Sequence, residues 1–369
     1  MRLALLHYTH SPVIGGVERV IRDQAAALRA LGHEVDLFDR SPDATVRFRN
    51  WLDCGYSHPS GSNAVGDGAP VVIVHNVFTM PFDLEWTREL TVLAASMPHI
   101  CWVNWVHDVA AVNPHYAHVG WREPVPVALH VAVSEVRRQD FARATGLDPE
   151  SIRVIPNGLD FTAVLDLSAR ISALRLWQHE IVLAHPTRLI RRKNIELGIR
   201  TTAALHQAGC DVIYAITGAP DPHQADGWVY HGELKKMAQE LGIAERVLFI
   251  GETGTLSDHD VRSLYVTATA LFFPSTGEGF GLPLLEAQAH RLPVFCSDLA
   301  VHHEVLGDAG CFFSAESKAE EISAQIKRWL HNDIVTRHRR QLWRDHDMLK
   351  ICQEHLEPLL LTATATIHP

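Results

Sequence analysis

Two glutamates and the glycine-rich loop between them form the stretch of the sequence that most strongly suggests chemistry. Glu278 and Glu286 are separated by seven residues, and an apolar segment that ends at Pro274 precedes them. The loop offers free backbone N–H groups, and Pro283 suits the first turn of a helix, so we expect an anion site there. The carboxylates can accept hydrogen bonds, Glu278 from sugar hydroxyls and Glu286 from ribose hydroxyls. The loop residues expected against the ligand are Gly279, Phe280, Gly281 and Leu282.

A basic pair follows the predicted strand Ile181–His185. Arg188 presents a planar fork of N–H groups and Lys193 a point charge, so both can neutralise a phosphate whose negative charge grows as a bond breaks. Arg191 and Arg192, which lie between them, are expected to be surface residues. The alternative interpretation is a solvated basic patch.

Three further candidate segments lie at the ends of predicted strands in the first half of the chain. Gly15-Gly16 follows the first strand, where glycine allows a ligand to approach the backbone closely, and an ordinary turn between strand and helix fits the two glycines equally well. In His107-Asp108, we expect the histidine at the rim of the site and the aspartate to orient it. In His75-Asn76, contact with an acceptor and capping of the loop are equally good interpretations.

Neither a metal nor a bound cofactor is expected. The chain has 24 histidines but no H-E-x-x-H motif and no compact His/Cys cluster. Two Asp-x-Asp sequences, Asp258-His259-Asp260 and Asp345-His346-Asp347, could hold a divalent cation. Both lie in polar, helical segments, and Asp258 follows Ser257, a good helix N-cap, so we interpret both as structural.

The composition excludes several classes of protein. A net charge of −10 without a dense Lys/Arg block argues against nucleic acid as the main partner. Six cysteines without a C-x-x-C motif, four of them in or beside apolar runs, indicate free thiols in a reducing compartment, so we expect a cytoplasmic protein. The sequence has no apolar run of about 18 residues, so no transmembrane helix is expected, whereas peripheral membrane contact stays open.

Short apolar runs alternate with helical patterns along the chain, which is typical of parallel α/β units. Ser41–Pro70, rich in Gly, Ser, Pro and Asp, is expected to be a long loop. Predicted strands are Arg2–His7, Glu34–Phe38, Val71–His75, Ile100–Val103, Val131–Val133, Ile152–Ile155, Ile181–His185, Val212–Ile216, Arg246–Ile250, Ala270–Phe273 and Val294–Cys296. Predicted helices are Val17–Ala30, Ser134–Ala144, Asn194–Gln207, Tyr230–Leu241 and Pro283–His290, with a mostly helical Glu316–Leu361.

This order of elements predicts two Rossmann-like domains that face each other across a cleft, with ligands beyond the carboxyl ends of the strands. We place the first domain, on the acceptor side, at residues 1–160 and the second, on the donor side, at 161–345. A helical tail, 346–369, is expected to cross back to the first domain.

Together these motifs resemble the retaining family 4 glycosyltransferases, which have the GT-B fold. Glu278-x7-Glu286 around Gly279-Phe280-Gly281-Leu282-Pro283 carries most of the resemblance, which extends over nearly the whole chain. The chain departs from the family at Arg291, where a helix-ending glycine is usual, so we expect no glycine cap there. Other landmarks in family order are Gly15-Gly16-Val17-Glu18, Val154–Asp160, Arg188 with Lys193, Ser297-Asp298, His303-Glu304-Val305 and Gly307-Asp308-Ala309-Gly310.

The resemblance implies transfer of a hexose from a UDP-, GDP- or ADP-sugar to a hydroxyl acceptor, with retention and without a metal. Arg188, Lys193 and loop N–H groups would hold the diphosphate, while Glu286 would hold the ribose and Glu278 the hexose. His107 would contact the transferred sugar, and Gly15-Gly16 would lie near the donor phosphate and the acceptor. Attack from the same face, with a leaving phosphate oxygen taking the acceptor proton, requires no carboxylate nucleophile.

Three other functions stay open at this point. A nucleotide-sugar epimerase or a phosphorylase could use the same fold, and an obligatory acceptor would exclude the epimerase. An NAD-dependent oxidoreductase is disfavoured because the G-x-G-x-x-G fingerprint is missing. A non-catalytic sugar-nucleotide binding protein would bind the donor without turnover.

Overall fold

The computed structural model describes residues 1–9, 15–53, 69–119, 127, 129–219, 227–314 and 316–367. The chain divides into two compact units, Met1–Asp160 with His346–Pro369 and Phe161–Asp345. Within the described residues, each unit is built on a six-stranded parallel sheet. The predicted fold class, two Rossmann-like α/β domains of the GT-B type with a helical C-terminal region, is confirmed.

The first sheet has the strand order β2-β1-β3-β4-β5-β6. Along β1, Leu3 and Leu5 belong to one apolar cluster, and Ala4 and Leu6 belong to another. Because successive side chains point to opposite faces of a strand, both faces of this sheet are buried. Its strands are β1 Arg2–Leu6, β2 Glu34–Phe38, β3 Val71–His75, β4 Cys101–Val106, β5 Leu129–Ala132 and β6 Ile152–Val154.

The second sheet has the order β12-β11-β10-β7-β8-β9. Its last strand, β12, was not predicted from the sequence. The central strands β10, β7 and β8 are neighbours, so the loops that follow them lie at one edge of the sheet. The strands are β7 Ile181–His185, β8 Val212–Ile216, β9 Val247–Phe249, β10 Ala270–Phe273, β11 Val294–Ser297 and β12 Gly310–Phe313.

Helices connect the strands and cover the sheets. The first unit contains α1 Gly16–Ala30, α2 Pro42–Asp53, α3 Leu84–Ser96, α4 Glu135–Thr145, α14 Met348–Ile351 and α15 Glu357–Ile367. The second contains α5 Phe161–Val164, α6 Ala169–Ala173, α7 Ile195–Gln207, α8 Gly227–Glu240, α9 Asp258–Thr267, α10 Leu282–Ala289, α11 Ala300–Leu306, α12 Ala319–Asn332 and α13 Ile334–Asp345.

The prediction of a continuous loop over Ser41–Pro70 is wrong at its start, because Pro42–Asp53 forms α2. The buried residues of α2 are Ala44, Phe48, Trp51 and Leu52, which is the spacing of one helical face. The indole N–H of Trp51 donates to a carboxylate oxygen of Asp36 at 2.9 Å. Packing of this apolar face therefore outweighs the turn-forming composition, and residues 54–68 lie outside the described part of the chain.

The C-terminal tail packs against the first sheet. Its residues Met348, Ile351, Cys352 and Leu356 belong to the same buried apolar cluster as Leu3. The five cysteines within the described residues are free thiols, and Cys54 lies outside those residues. Among the described residues, no helix combines the length and the apolar character that a membrane span requires.

Candidate functional site

A cavity of about 500 Å³ lies in the second unit, where the loops after β7 and β8 meet. Its position beyond the carboxyl ends of parallel strands is where ligands bind in doubly wound sheets. Two of the predicted site residues, Arg188 and Lys193, line it, and so does Arg192. The other lining residues are Thr187, Thr217, Gly218, Ala219, Thr255, Leu256 and Val261.

Gly218 allows the loop after β8 to lie close to the loop after β7. A Cβ atom on Gly218 would lie 2.1 Å from the carbonyl oxygen of Thr187 and 2.9 Å from Cα of Arg188. Real side chains do not tolerate such distances to backbone, so the loop that carries Arg188 is in place because residue 218 is a glycine. The sequence analysis did not single out Gly218, because isolated glycines after strands are common.

Lys193 and Glu278 form an ion pair between two loops. Both side chains are largely buried, with 11% and 7% of their surface exposed. The ammonium group also lies 5.0 Å from the ring centroid of Phe273, within range of a cation–π interaction. Burial opposes ionisation of Glu278, but its contacts with Lys193 and then Arg192 lower its pKa below the usual value. The carboxylate therefore stays charged at neutral pH.

Arg192 joins the same loop from the solvent side. Its Nη1 donates to the carbonyl of Gly277 at 2.8 Å and lies 3.3 Å from Oε2 of Glu278. The backbone N–H of Thr276 donates to the carbonyl of Arg192 at 2.8 Å. Arg192 is 47% exposed and so lies on the surface as predicted, but it is also part of the site. Arg191 instead pairs with Glu233 at 2.7 Å.

Glu286 lies on α10, four residues after Leu282. Its Oε2 accepts a hydrogen bond of 2.6 Å from the hydroxyl of Tyr265, and the Tyr265 ring stacks on His290. Burial, and then Glu286, raise the pKa of the Tyr265 hydroxyl, so that hydroxyl remains a donor. Tyr265 thus orients Glu286, the residue predicted to accept hydrogen bonds from a ribose. The sequence analysis missed this tyrosine.

The predicted anion site lies at the start of α10, and binding there stays a prediction. Gly281 precedes the helix with φ of 92°, a left-handed conformation that favours glycine, and no side chain caps this end. The loop residues Gly279 and Phe280 and the first helical residue, Leu282, are exposed. Backbone N–H groups at such an end, assisted by the helix dipole, can bind a negatively charged group.

Several buried polar atoms of the second unit have no hydrogen-bond partner among the residues that the structure describes. They include Nε2 of His185, Oγ of Ser297 and Nε2 of His302, which follow or end β7 and β11. Nδ1 of His302 lies 2.8 Å from the carbonyl of Ser297, which fixes the orientation of its ring. Buried polar groups are normally satisfied, so these atoms indicate positions for bound water or ligand hydroxyls.

Four predicted residues of the first unit, His75, Asn76, His107 and Asp108, lie at or after the ends of β3 and β4. Asn76, at φ of 59°, accepts hydrogen bonds on Oδ1 from the backbone N–H groups of His107 and Asp108, at 2.9 and 3.0 Å. Asn76 therefore caps this turn, whereas an acceptor contact stays a prediction. Asp108 is exposed, but its side-chain role is untested.

His75 and His107 are buried and hydrogen-bonded to each other, with 3.0 Å between Nδ1 and Nε2. Burial lowers the pKa of His107 to about 3, so the ring is neutral at physiological pH. Only 7% of His107 is exposed, which differs from the position at the rim that the sequence suggested. The strand β4 runs to Val106, three residues beyond the predicted end, and so draws His107 into the interior.

The glycines of the first unit lie at the start of α1. Gly15 is the N-cap, in extended conformation, and Gly16 is the first helical residue. Glu18, in the first turn, accepts a hydrogen bond from Thr9 and lies 3.7 Å from Nε2 of His7. A contact of Gly15 and Gly16 with a donor remains a prediction.

The two Asp-x-Asp sequences have structural roles. Asp260 completes a capping box with Ser257 at the start of α9, where Asp258 is the first helical residue. The side chain of Asp347 caps α14 by accepting from the N–H of Leu349 at 3.1 Å. Within the described residues, no group of three or more His, Cys, Asp or Glu side chains could hold a metal ion.

Two family models match most of the chain. The model described as Glycosyltransferase Family 4 covers residues 14–163, and the one described as Glycosyl transferases group 1 covers residues 172–344. The second match contains the cavity, Glu278 and Glu286, and the first contains His75 and His107.

Curated relatives match shorter stretches. The O-antigen chain mannosyltransferase RfbU of Salmonella typhimurium is 36% identical over 95 residues, which are 26% of this chain and 26% of the relative. A D-inositol 3-phosphate glycosyltransferase of Mycobacterium sp. is 29% identical over 236 residues, 60% of this chain and 50% of the relative. The chain thus matches half or less of the length of these relatives.

Among solved structures, a glycosyltransferase from Rickettsia africae ESF-5 aligns over 98% of both chains at 16% identity, with a TM-score of 0.39. Anabaena Alr3699/HepE in complex with UDP and glucose aligns over 97% of this chain and 99% of that chain at 19% identity, with a TM-score of 0.38.

Proposed function

The chain belongs to the family 4 glycosyltransferases, and on that premise we propose that it transfers a hexose from a nucleotide diphosphate sugar to a hydroxyl acceptor, with retention and without a metal ion. The observation that carries this proposal is the cavity of about 500 Å³ with three cationic side chains, Arg188, Arg192 and Lys193, along its wall. Cavities that bind small molecules and cofactors have volumes of about 300–1,000 Å³, so this cavity is large enough for a nucleotide diphosphate sugar.

Charge at the cavity supports a diphosphate as the ligand. Arg188, Arg192 and Lys193 place three positive charges along one cavity, which suits a diphosphate, and Glu278 pairs with Arg192 and Lys193. Guanidinium groups bind phosphate oxygens in pairs, and an ammonium group adds a point charge. These groups also stabilise the leaving nucleoside diphosphate, whose negative charge grows in the transition state, and so take the role that a metal ion has in other transferases.

The two carboxylates support recognition of sugar hydroxyls. Glu286, oriented by Tyr265, would accept hydrogen bonds from the ribose. Glu278, which the ion pair with Lys193 keeps charged, would accept from the hexose, close to the bond that breaks. The unpartnered Nε2 of His302 offers a further hydrogen-bonding position beneath the loop.

His107 is the residue of the first unit that we expect to contact the transferred sugar. Because this imidazole is neutral, it would act as a hydrogen-bonding group for the transferred sugar and not as a cation. The acceptor hydroxyl attacks the anomeric carbon on the face from which the phosphate leaves. Its proton passes to the departing phosphate oxygen, so the bond formed, the bond broken and the proton are all accounted for without a protein nucleophile.

Release of nucleoside diphosphate from a panel of UDP-, GDP- and ADP-sugars tests this function. The panel includes mannose donors, because a relative is named as a mannosyltransferase. We expect release from one donor that persists in EDTA and is lost in Lys193→Ala and Glu286→Ala. Arg191→Ala is the matched control, since its guanidinium pairs with Glu233 and does not line the cavity.

The other outcomes are equally decisive. No binding of any donor would overturn the assignment of the cavity. Tight binding without release, even with an acceptor library, would favour a sugar-nucleotide binding protein. Conversion of the donor to its epimer without an acceptor would favour an epimerase, and loss of activity in EDTA would contradict metal independence.

A further inference from the structure

A second cavity, of about 220 Å³, lies at the opposite end of the second sheet. It is lined by Ile181, the first residue of β7, whereas Thr187 and Arg188 of the first cavity follow the end of that strand. Five residues of strand span about 13 Å, so the two cavities are separate. Cys210 and Thr269, which precede β8 and β10, also line the second cavity.

The wall of this cavity is rich in positive charge. Its basic residues come from two consecutive helices, α12 and α13, while Glu180 is the one carboxylate among the described residues that line it. The basic lining residues are Lys327, His331, Arg337, Arg340 and Arg344.

Backbone carbonyls hold these side chains in position. Arg340, which is 2% exposed, donates to the carbonyls of Leu176, His179 and Thr267. The ammonium group of Lys327 donates to the carbonyl of Ala208 at 3.2 Å, next to the end of α7. Arg340 is therefore fixed in the wall of the cavity, and one hydrogen bond orients the exposed Lys327.

The carbonyls do not neutralise the charge. A helix C-terminus supplies about half a negative charge at most, whereas each side chain carries a full positive charge. Within the described residues, Lys327, Arg337 and Arg340 form no ion pair with a carboxylate. Burial, and then the neighbouring Arg339 and Arg344, lower the pKa of Arg340 to about 9, while Asp211 opposes this shift. An uncompensated buried cation is costly, so a bound anion would be favourable here.

We propose that this cavity binds the phosphate group of a small molecule, either inorganic phosphate or a phosphate monoester. Lys327 and Arg337 supply charged N–H groups and the buried Arg340 adds positive charge, which together suit a dianion better than a single carboxylate. A volume of about 220 Å³ is below the range of about 300–1,000 Å³ for larger ligands, so a nucleotide sugar would not fit. The site is independent of the proposed transferase function.

Isothermal titration calorimetry on the full chain, with inorganic phosphate and separately with glucose 6-phosphate, tests the proposal. Ionic strength is kept constant with sodium chloride, because surface electrostatics depend on salt. We expect one molecule bound in the wild type, and tighter binding of glucose 6-phosphate if the monoester is the ligand. In Lys327→Gln/Arg337→Gln the dissociation constant should rise by about tenfold or more, since each charged contact contributes at least that factor.

Two controls make the result specific. Arg328→Gln changes an exposed cation on the same helix that does not line the cavity, so its affinity should equal that of the wild type. Lys193→Ala disables the first cavity, and binding with unchanged affinity in that variant places the anion in the second. Equal affinity in the double variant, loss of binding in Lys193→Ala, or no binding in the wild type would each overturn the proposal. The single variant Arg337→Gln replaces the double variant if the latter does not fold.

Discussion

Nδ1 of His75 lies 3.0 Å from Nε2 of His107, at the carboxyl ends of the neighbouring strands β3 and β4. Burial, with His107 and His7 nearby, lowers the pKa of His75 well below its usual value, and burial also keeps His107 neutral. Between two neutral imidazoles, one nitrogen must donate and the other accept. The tautomer of His107 is therefore coupled to that of His75.

Replacement of His75 should lower the rate of transfer more than it weakens donor binding. In His75→Phe, Nε2 of His107 loses its partner and the ring loses its fixed tautomer. We expect kcat to fall about tenfold, the effect of one lost hydrogen bond, with little change in KM for the donor. Steady-state kinetics with the identified donor measures both constants.

A matched control is His130→Phe, which removes a half-buried histidine that is hydrogen-bonded to Asn104. If His75 has only a structural role, His75→Phe and His130→Phe should lose the same activity, because both would lose it through partial unfolding. His75→Gln, which retains a donor and an acceptor, should recover part of kcat. A rise in KM for the donor with unchanged kcat would contradict the role.

The ion pair of Lys193 and Glu278 should be energetically coupled. Lys193→Met and Glu278→Gln each leave one largely buried group without its partner, and the double variant leaves neither. The double variant should therefore lose less stability than the sum of the two single losses, by about 0.5–3 kcal/mol. Urea unfolding of the four proteins measures the coupling, and additive losses would show that the pair contributes nothing.

The same coupling should depend on pH in one direction. The pKa of Glu278 is lowered in the folded protein from its ordinary value of 4.5, so the unfolded chain takes up its proton first as pH falls. The stabilisation by ionised Glu278 is complete when the pH lies above the ordinary pKa of 4.5. It is lost as the pH falls through the lowered pKa of the folded protein. The coupling energy at pH 7 should hence exceed that below pH 4, and a coupling that grows with acidity would contradict the assignment.

Substitution of Gly218 should weaken donor binding, although it changes no charged residue. In Gly218→Ala the new methyl group would overlap the carbonyl oxygen of Thr187, so the loop that carries Arg188 must move. A displaced phosphate contact should raise the dissociation constant of the donor by about tenfold. Gly232→Ala is the control, since that helical glycine has open space around its Cα and should gain about 0.5–1 kcal/mol of stability. Equal donor affinity in both variants would show that the loop position does not matter.

Local sequence patterns predicted much of the fold because they reflect local physics. The strand Ala270–Phe273 is observed with its predicted bounds, since an apolar run before a glycine loop has few other conformations. The helix Pro42–Asp53 was missed because its apolar face is recognisable only by its packing, within a composition typical of loops. The strand Gly310–Phe313 was missed for a similar reason, because its hydrogen bonds to β11 define it.

In the candidate site, too, the local motifs were predictable from the sequence and the contacts between distant residues were not. The glycine loop and its two glutamates were recognisable from types and spacing, whereas the ion pair joins residues 85 positions apart in the chain. No pattern in the sequence indicates that Tyr265 orients Glu286, or that Arg192 and not Arg191 contacts the loop. Such contacts depend on which strands are neighbours, and the order β10-β7-β8 is a property of the folded sheet.

Arg291 offers a test of backbone strain at the end of α10. The sequence has an arginine where a glycine is usual, and Arg291 itself adopts a left-handed conformation with φ of 57°. For a residue with a Cβ atom this conformation costs about 1 kcal/mol, and glycine avoids that cost. We expect Arg291→Gly to raise the free energy of unfolding by up to about 1 kcal/mol. Arg291→Ala, which removes the charge and keeps the strain, should leave it nearly unchanged. Urea unfolding compares the two, and equal stabilisation by both would mean that charge and not backbone conformation is responsible.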